Sequence, residues 1–337
     1  MAGLKAFQRV QYGFESTPGT AVAAGKTWRG NGSMIDDQRT IVHPEELTAI
    51  ASPTTRMYTP KLLAALSMAA TPATFEQLPI ILSAAIQQDE AGTADGAGDG
   101  FIYTHAMPTT ALRTISTLTL ESGDNQQAEE MEYAFVTDFS LNGNAGEALM
   151  MAANWNGRQA TPVSFTGSAT IPTVEEILAG KGTIYIDDGG GTIGTTAVSQ
   201  AILAMGLSVT TGWRPKWFID GNVLYFSRHY YDIGSVGIEL SLTFEHDATG
   251  VAAKADWRAE TEKLIRLEFE GSAFGTGGTT YDNKTLRIDL SGQYTKFDVL
   301  SDQDGNSIYQ ATFRGTYSPT DAISPLTFVV VNEVSAL

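Results

Sequence analysis

Apolar and polar residues alternate strictly over long stretches of this chain, and a period of two commits those stretches to half-buried strands. Ile238, Leu240, Leu242 and Phe244 are separated by Glu239, Ser241, Thr243 and Glu245. Ile265, Leu267 and Phe269 alternate with Arg266, Glu268 and Glu270, and Leu286, Ile288 and Leu290 with Arg287, Asp289 and Ser291. Tyr133, Phe135, Thr137, Phe139 and Leu141 read as one face of a further strand. One apolar and one polar face per segment is the pattern of antiparallel sheet. The stretches 118–120, 184–186, 205–209, 223–226 and 326–331 read the same way, with turns such as Asn142-Gly143-Asn144 and Asp304-Gly305-Asn306 between strands. The stretch 147–153 has helical propensity. It is nevertheless read as a strand, because it follows a hairpin turn and puts Leu149, Met151, Ala153 and Trp155 on one face.

Helical signals are few. Phe75, Leu78, Leu82 and Ile86 are spaced for one apolar stripe, with Pro79 confined to the first turn because it cannot donate an N–H deeper in. Trp257, Thr261 and Leu264 form a second stripe, with Asp256 as the expected N-cap. Thr173 and Glu176 have the capping-box spacing, but few helical residues follow. The expected class is mainly β, with one short helix in each half.

The halves also resemble each other. Pro18-Gly19-Thr20-Ala21 answers Gly194-Thr195-Thr196-Ala197, and a strand candidate follows each, at 28–35 and 201–209. The stretch 62–68 answers 238–244, and the helix at 75–86 answers one placed at 257–264. Each half then closes with two strands around a polar turn, and Asn154-Trp155-Asn156-Gly157-Arg158 is aligned with Ala311-Thr312-Phe313-Arg314-Gly315. This reading gives two tandem β domains, 1–165 and 173–337, with a linker at about 160–180 and a long loop at 89–115 in the first. The acidic stretch 89–100 within that loop is expected to be mobile.

Charge and composition remove several function classes. Lys and Arg number 21 against 38 Asp and Glu, a net charge of −17, which opposes a protein that coats duplex nucleic acid. With 42% hydrophobic and 18% charged residues the chain can build a core and is not a disordered acidic tail. There is no cysteine, so disulfides, cysteine zinc sites and thiol catalysis are excluded. The first residues lack a long apolar run, so no signal peptide is expected, and no membrane span is expected.

Motifs with chemical potential are weak. Gly19 to Gly25-Lys26-Thr27 has five residues between its glycines where a phosphate loop needs four, and reads as a flexible small-residue loop. Gly189-Gly190-Gly191-Thr192-Ile193-Gly194 spells a dinucleotide fingerprint but is followed by alternating strands, and reads as a hairpin loop. Asp302-Gln303-Asp304-Gly305-Asn306 resembles the start of a calcium loop, yet its glycine falls at position four, and it reads as a tight turn. His43, His105, His229 and His246 form no tight ligand pair, and no nucleophile elbow exists. Catalytic, cofactor-binding and metal-binding residues are therefore all read as none, and no enzyme is expected. The aromatic-rich stretch 213–231 could serve as a carbohydrate platform, but it reads better as core or assembly interface. Trp28, Tyr58, Trp213, Trp217, Phe218 and Tyr230 are the candidate assembly residues.

Taken in order, several segments resemble the tail tube proteins of long, flexible-tailed bacteriophages. These are Tyr12 to Ala21, with its acidic residue before Ser-Thr-Pro-Gly-Thr-Ala; Phe75-Glu76-Gln77-Leu78-Pro79; and Phe135 to Gly146 followed by Asn154-Trp155-Asn156-Gly157-Arg158. Gly315-Thr316-Tyr317-Ser318-Pro319 closes the series. The similarity spans nearly the whole chain, although 213–231 matches no motif of that family. The resemblance implies a tail-tube-type β-sandwich or barrel with a flanking short helix, whose subunits form rings that stack into a hollow virion tail tube. It implies assembly with itself, as trimeric pseudo-hexameric rings or as hexameric rings. It further implies tape measure, tail terminator and distal tail proteins as partners, DNA passing through the lumen, and synthesis in a bacterial cytoplasm. Two competing readings are another virion β-sandwich, such as a tail terminator or decoration protein, and a carbohydrate-binding β-rich protein.

Overall fold

A computed structural model describes residues 2–51, 56–219, 221 and 223–337. The chain is mainly β, and its strands fall into two runs with the same connectivity. In the first half Arg9–Phe14 pairs with Leu118–Gly123, which pairs with the beginning of Ala128–Asn144. Past its middle, that long strand pairs with Met150–Gly157, then comes Ala64–Pro72, then the short Asp36–Asp37. The second half runs Gly182–Asp188, Lys263–Ala273, Asn283–Phe297, Asn306–Gly315, Gly237–Glu245 and Ile202–Thr210 in the same order. All these ladders are antiparallel, and no series of them returns to its starting strand.

Alternation produces the expected burial. Along Gly237–Glu245 the side chains of Ile238, Leu240, Leu242 and Phe244 are buried, and the residues between them reach solvent. Leu149, Met151, Ala153 and Trp155 are all buried on one face, as expected. The long strand departs from simple alternation. Its ladder with Met150–Gly157 skips Thr137, between Val136 and Asp138. One extra residue switches the faces. Tyr133 and Phe135 therefore enter a small cluster with Ile115, Trp213 and Phe226, while Phe139 and Leu141 enter the main core. They do not share the single face expected of them.

The first helix, Leu78–Ala85, has Pro79 in its opening turn and is buried on every side. The second is not where the 257–264 stripe put it. It spans Ala248–Arg258, capped by Asp247, whose carboxylate accepts from Gly250 N at 2.9 Å. Asp256 lies in its last turn and instead meets Lys263 Nζ at 2.8 Å. The stretch 28–35 forms no strand between Lys26–Thr27 and Asp36–Asp37, and 223–226 is irregular, with Phe226 plugging the small cluster. Trp155 and Phe313 occupy equivalent ladder positions, opposite Leu66 and Leu240, so the pentapeptide alignment is out by one residue.

The halves are joined by more than a linker. Asp138 to Asn144 pairs with Thr210 to Ala204, carrying one sheet across both halves. Within the supposed loop 89–115, Phe101–Ala106 is a full strand paired with Leu326–Asn332 of the second half. The acidic stretch is anchored too: the buried Asp95 accepts from the backbone N–H groups of Thr279, Thr280 and Tyr281. Residues 160–180 run along the first half, with Thr161–Val163 paired to Ala128–Glu130 and bridges from Thr170 to Lys26 and Glu176 to Thr74. A single large core draws side chains from both halves, from Val10 to Val330.

Candidate assembly surfaces

Eight strands form one uninterrupted sheet: Asp36–Asp37, Ala64–Pro72, Met150–Gly157, Ala128–Asn144, Ile202–Thr210, Gly237–Glu245, Asn306–Gly315 and Asn283–Phe297. Its inner face lies on the core. Its other face is polar, with small residues and a few long charged ones in cross-strand rows. One row runs Ala152, Ser140, Ser208, Glu239, Arg314, Gln293, and a second runs Asn142, Gly206, Ser241, Thr312, Lys296. Charges on this face are sparse. Asp138 is held by Asn154 Nδ2 at 2.6 Å, and Glu239 stands opposite Arg314. Ser67, Ala69, Asp138, Ser140, Ala152 and Asn154 cup a groove of about 380 Å³, so this part of the face is concave.

Both ends of the sheet are open among the described residues. At one end Asp36–Asp37 pairs only with Ala64 and Ala65, and Met34, Asp36 and Gln38 are exposed. At the other, the strand beyond Gly292 pairs only with Asn306–Gly315, and Gln293, Thr295 and Lys296 are exposed. Val299, at 85% exposure, and Leu300 follow directly. Unpaired edges of this kind recruit another strand unless they are blunted.

Two arginines tie the halves together, beside a buried carboxylate that organises the first half at the same place. The buried Glu15 carboxylate accepts from Gly19 N (2.7 Å), Thr117 Oγ1 (2.7 Å), Thr119 Oγ1 (3.0 Å) and Tyr133 N (2.8 Å). Arg158 donates to the carbonyl oxygens of Gly19 (3.0 Å), Phe226 (3.1 Å) and Ser227 (2.9 Å), and its guanidinium lies 4.7 Å from the Tyr133 ring. Arg113 donates to the Thr211 carbonyl and lies over the Tyr231 ring at 4.3 Å. Arg158 and Arg113 are absent from the candidate set. An arginine gives no periodic signal when its role is to bind carbonyls on a distant segment.

The six candidate assembly residues separate into two buried, one half-buried and three exposed. Trp28 and Trp213 are buried within the chain, so both are corrections: neither is open to a partner. Trp213 Nε1 donates to the Ala85 carbonyl at the end of the first helix, 3.0 Å away, closing the seam between the halves. Trp217 is half-buried, with Lys61 Nζ 3.8 Å from its ring. Tyr58, Phe218 and Tyr230 are exposed. Phe218 lies under Arg228 and Lys216, at 5.0 and 5.5 Å.

The glycine-rich loops bind their own carboxylates. Asp187 accepts from the N–H groups of Gly194, Thr195 and Thr196 and from the Thr195 hydroxyl. Burial raises its pKa, but the hydrogen bonds from Thr195, Thr196 and Gly194 outweigh burial and bring it down to about 2. Donors that would cradle a phosphate are thus already taken, and Glu15 plays the same part at Gly19. Residues 301–308 form the expected hairpin, with Asp304 and Gly305 at positive φ. No group of three or more potential metal-ligating side chains exists among the described residues, and no helix among them is long and apolar enough to cross a membrane. Comparison with known protein families and with curated proteins returns no match to this chain.

Proposed function

We propose that this chain is the repeating subunit of a hollow protein tube, the tail tube through which a long-tailed bacteriophage ejects its DNA. The observation that carries the reading is the eight-stranded sheet that crosses both halves and ends in two unpaired edges. Identical head-to-tail contacts either close into a ring or run on as an open helix, and ring closure removes every edge. Because each chain supplies two runs of equivalent connectivity, three chains make a ring of six equivalent units. The polar, sparsely charged sheet face then lines the lumen. With few cations to hold phosphates, such a wall lets DNA slide. The net charge of −17 acts in the same direction.

Electron microscopy of the concentrated protein, with rotational averaging and mass measurement of single rings, tests this. Stacked rings or tubes with three chains per ring are the expected result. Discrete rings that never stack favour a terminator-like role, and compact monomers under all assembly conditions overturn the reading.

A further inference from the structure

The long strands of the two halves, Ala128–Asn144 and Asn283–Phe297, align residue by residue through their ladders. Both long strands bulge at the same point. The second skips Thr295, between Tyr294 and Lys296, as the first skips Thr137. At each bulge the threonine hydroxyl donates to a carbonyl on the neighbouring strand at 3.2 Å, Thr137 to Asn154 and Thr295 to Thr312. Lys296, Phe297 and Asp298 are therefore the counterparts of Asp138, Phe139 and Ser140.

In the first half that edge is occupied: Asp138, Phe139 and Ser140 pair with Thr210, Val209 and Ser208. In the second half no strand among the described residues occupies it. The occupant's own counterpart follows from its other neighbour. Ser208 pairs with Glu239 as Asp36 pairs with Ala65. The burial phase agrees, because Ser33 and Ile35 point inward as Met205 and Leu207 do.

We infer that Gln38, Asp37 and Asp36 of a second copy of this chain pair antiparallel with Lys296, Phe297 and Asp298, in the register of the internal seam. The inference rests on the ring-building reading and assigns its contact. This register sets the second copy's Asp36 directly opposite Asp298, a like-charge pair that opposes the contact; Lys296, 2.7 Å from Asp298 and diagonal to Asp36, is the cation that offsets it. A second observation points the same way. After Ile202–Thr210, the hairpin of Trp213–Lys216 and Arg228–Tyr231 folds over Phe135 and the end of the first helix. After Asp36–Asp37, the matching hairpin of Thr40–Val42 and Tyr58–Lys61 leaves Ile41, Met57 and Tyr58 exposed. In the joined pair it lies over Gln293 and the helix Ala248–Arg258 of the neighbour.

The chain has no cysteine, so introduced thiols report without background. Residues opposite one another on antiparallel strands are within disulfide reach. Gln38→Cys and Lys296→Cys change exposed side chains, and each variant is expected to unfold at the wild-type temperature. Mixed and oxidised during assembly, the two variants are expected to give a disulfide-linked dimer containing one of each. Its yield should exceed that of either variant alone by about tenfold or more, because pairing raises the local thiol concentration to the millimolar range. The Gln38→Cys/Lys296→Cys double variant should give a ladder ending at the ring's chain number. Rings seen by microscopy without this link overturn the strand pairing and leave the ring-building reading standing. A protein that never assembles overturns both.

Discussion

Glu15 Oε1 accepts the backbone N–H of Tyr133 at 2.8 Å, where Tyr133 holds a φ of +59°. A tyrosine in the left-handed region is unfavourable on its own, and such strain persists only where its surroundings fix it. Here the carboxylate just past the first strand fixes the irregularity in the long strand's ladder with Leu118–Gly123, where the register shifts between Met131 and Ala134.

Replacing that carboxylate by its amide is the direct test. Glu15→Gln keeps the size but puts an NH₂ where one oxygen accepts from N–H and hydroxyl donors. We expect a loss of about 2–3 kcal/mol, from a buried acceptor set left partly unsatisfied. The denaturant midpoint measures it, and an unchanged midpoint would show that Glu15 does not hold the turn.

Arg158 binds three carbonyl oxygens at once, which a lysine ammonium on a flexible stem cannot reproduce in the same geometry. Arg158→Lys should loosen residues 213–231 before it unfolds the core. Faster limited proteolysis in that stretch, with a global loss of roughly 1–2 kcal/mol, is the expected result. Cleavage at the wild-type rate would contradict it.

His105 is fully buried with Nδ1 2.8 Å from the Gln87 carbonyl, and burial lowers its pKa to about 4. In the unfolded chain it titrates near 6.5. Between those values the unfolded state binds the extra proton, so this contribution is present above about pH 6.5 and lost as pH falls toward 4. The full effect is roughly 3 kcal/mol. His229, also lowered to about 4 by burial and by the Arg228 charge, adds in the same direction. The denaturant midpoint should fall between about pH 6.5 and 4, and His105→Gln should flatten that fall. An equally steep fall in the variant would assign the acid sensitivity elsewhere.

The aromatic stretch separates by substitution. Trp213→Ala should cost about 3–5 kcal/mol of monomer stability, because it empties the seam and strands the Ala85 carbonyl. Phe218→Ala and Tyr230→Ala, at exposed rings, should stay within about 0.5 kcal/mol. Thermal unfolding of the three variants compares them, and equal losses would erase the distinction between buried seam and free surface.

The strands were legible wherever one face meets the core and the other meets water, as at Ile238 to Phe244 and Leu286 to Leu290. That signal is local and says nothing about partners. Phe101–Ala106 opens on three consecutive apolar residues, and its partner lies more than two hundred positions away, so nothing local distinguishes it from the loop around it. The bulge at Thr137 hid from the pattern because a one-residue insertion looks like continued alternation on the wrong face. Ala248–Arg258 was missed because its alanine- and glycine-bearing sequence carries no strong apolar stripe, and only Asp247 announces it. Of the candidate assembly residues, sequence could mark the aromatics. It could not tell Trp213, which closes the seam, from Phe218, which faces solvent.

The pairing of Phe101–Ala106 with Leu326–Asn332 sets an order on the birth of the molecule. At a synthesis rate of about 5–20 residues per second, the earlier strand leaves the ribosome on the order of ten to forty seconds before its mate. Throughout that interval Tyr103 and His105, buried in the finished fold, have only the two-residue strand Thr93–Ala94 beside them and lack their main partner. A nascent chain is thus held incomplete until Leu326–Asn332 arrives, and a ribosome that stalls before residue 326 releases a product in which Phe101–Ala106 lacks the strand it pairs with along all six residues.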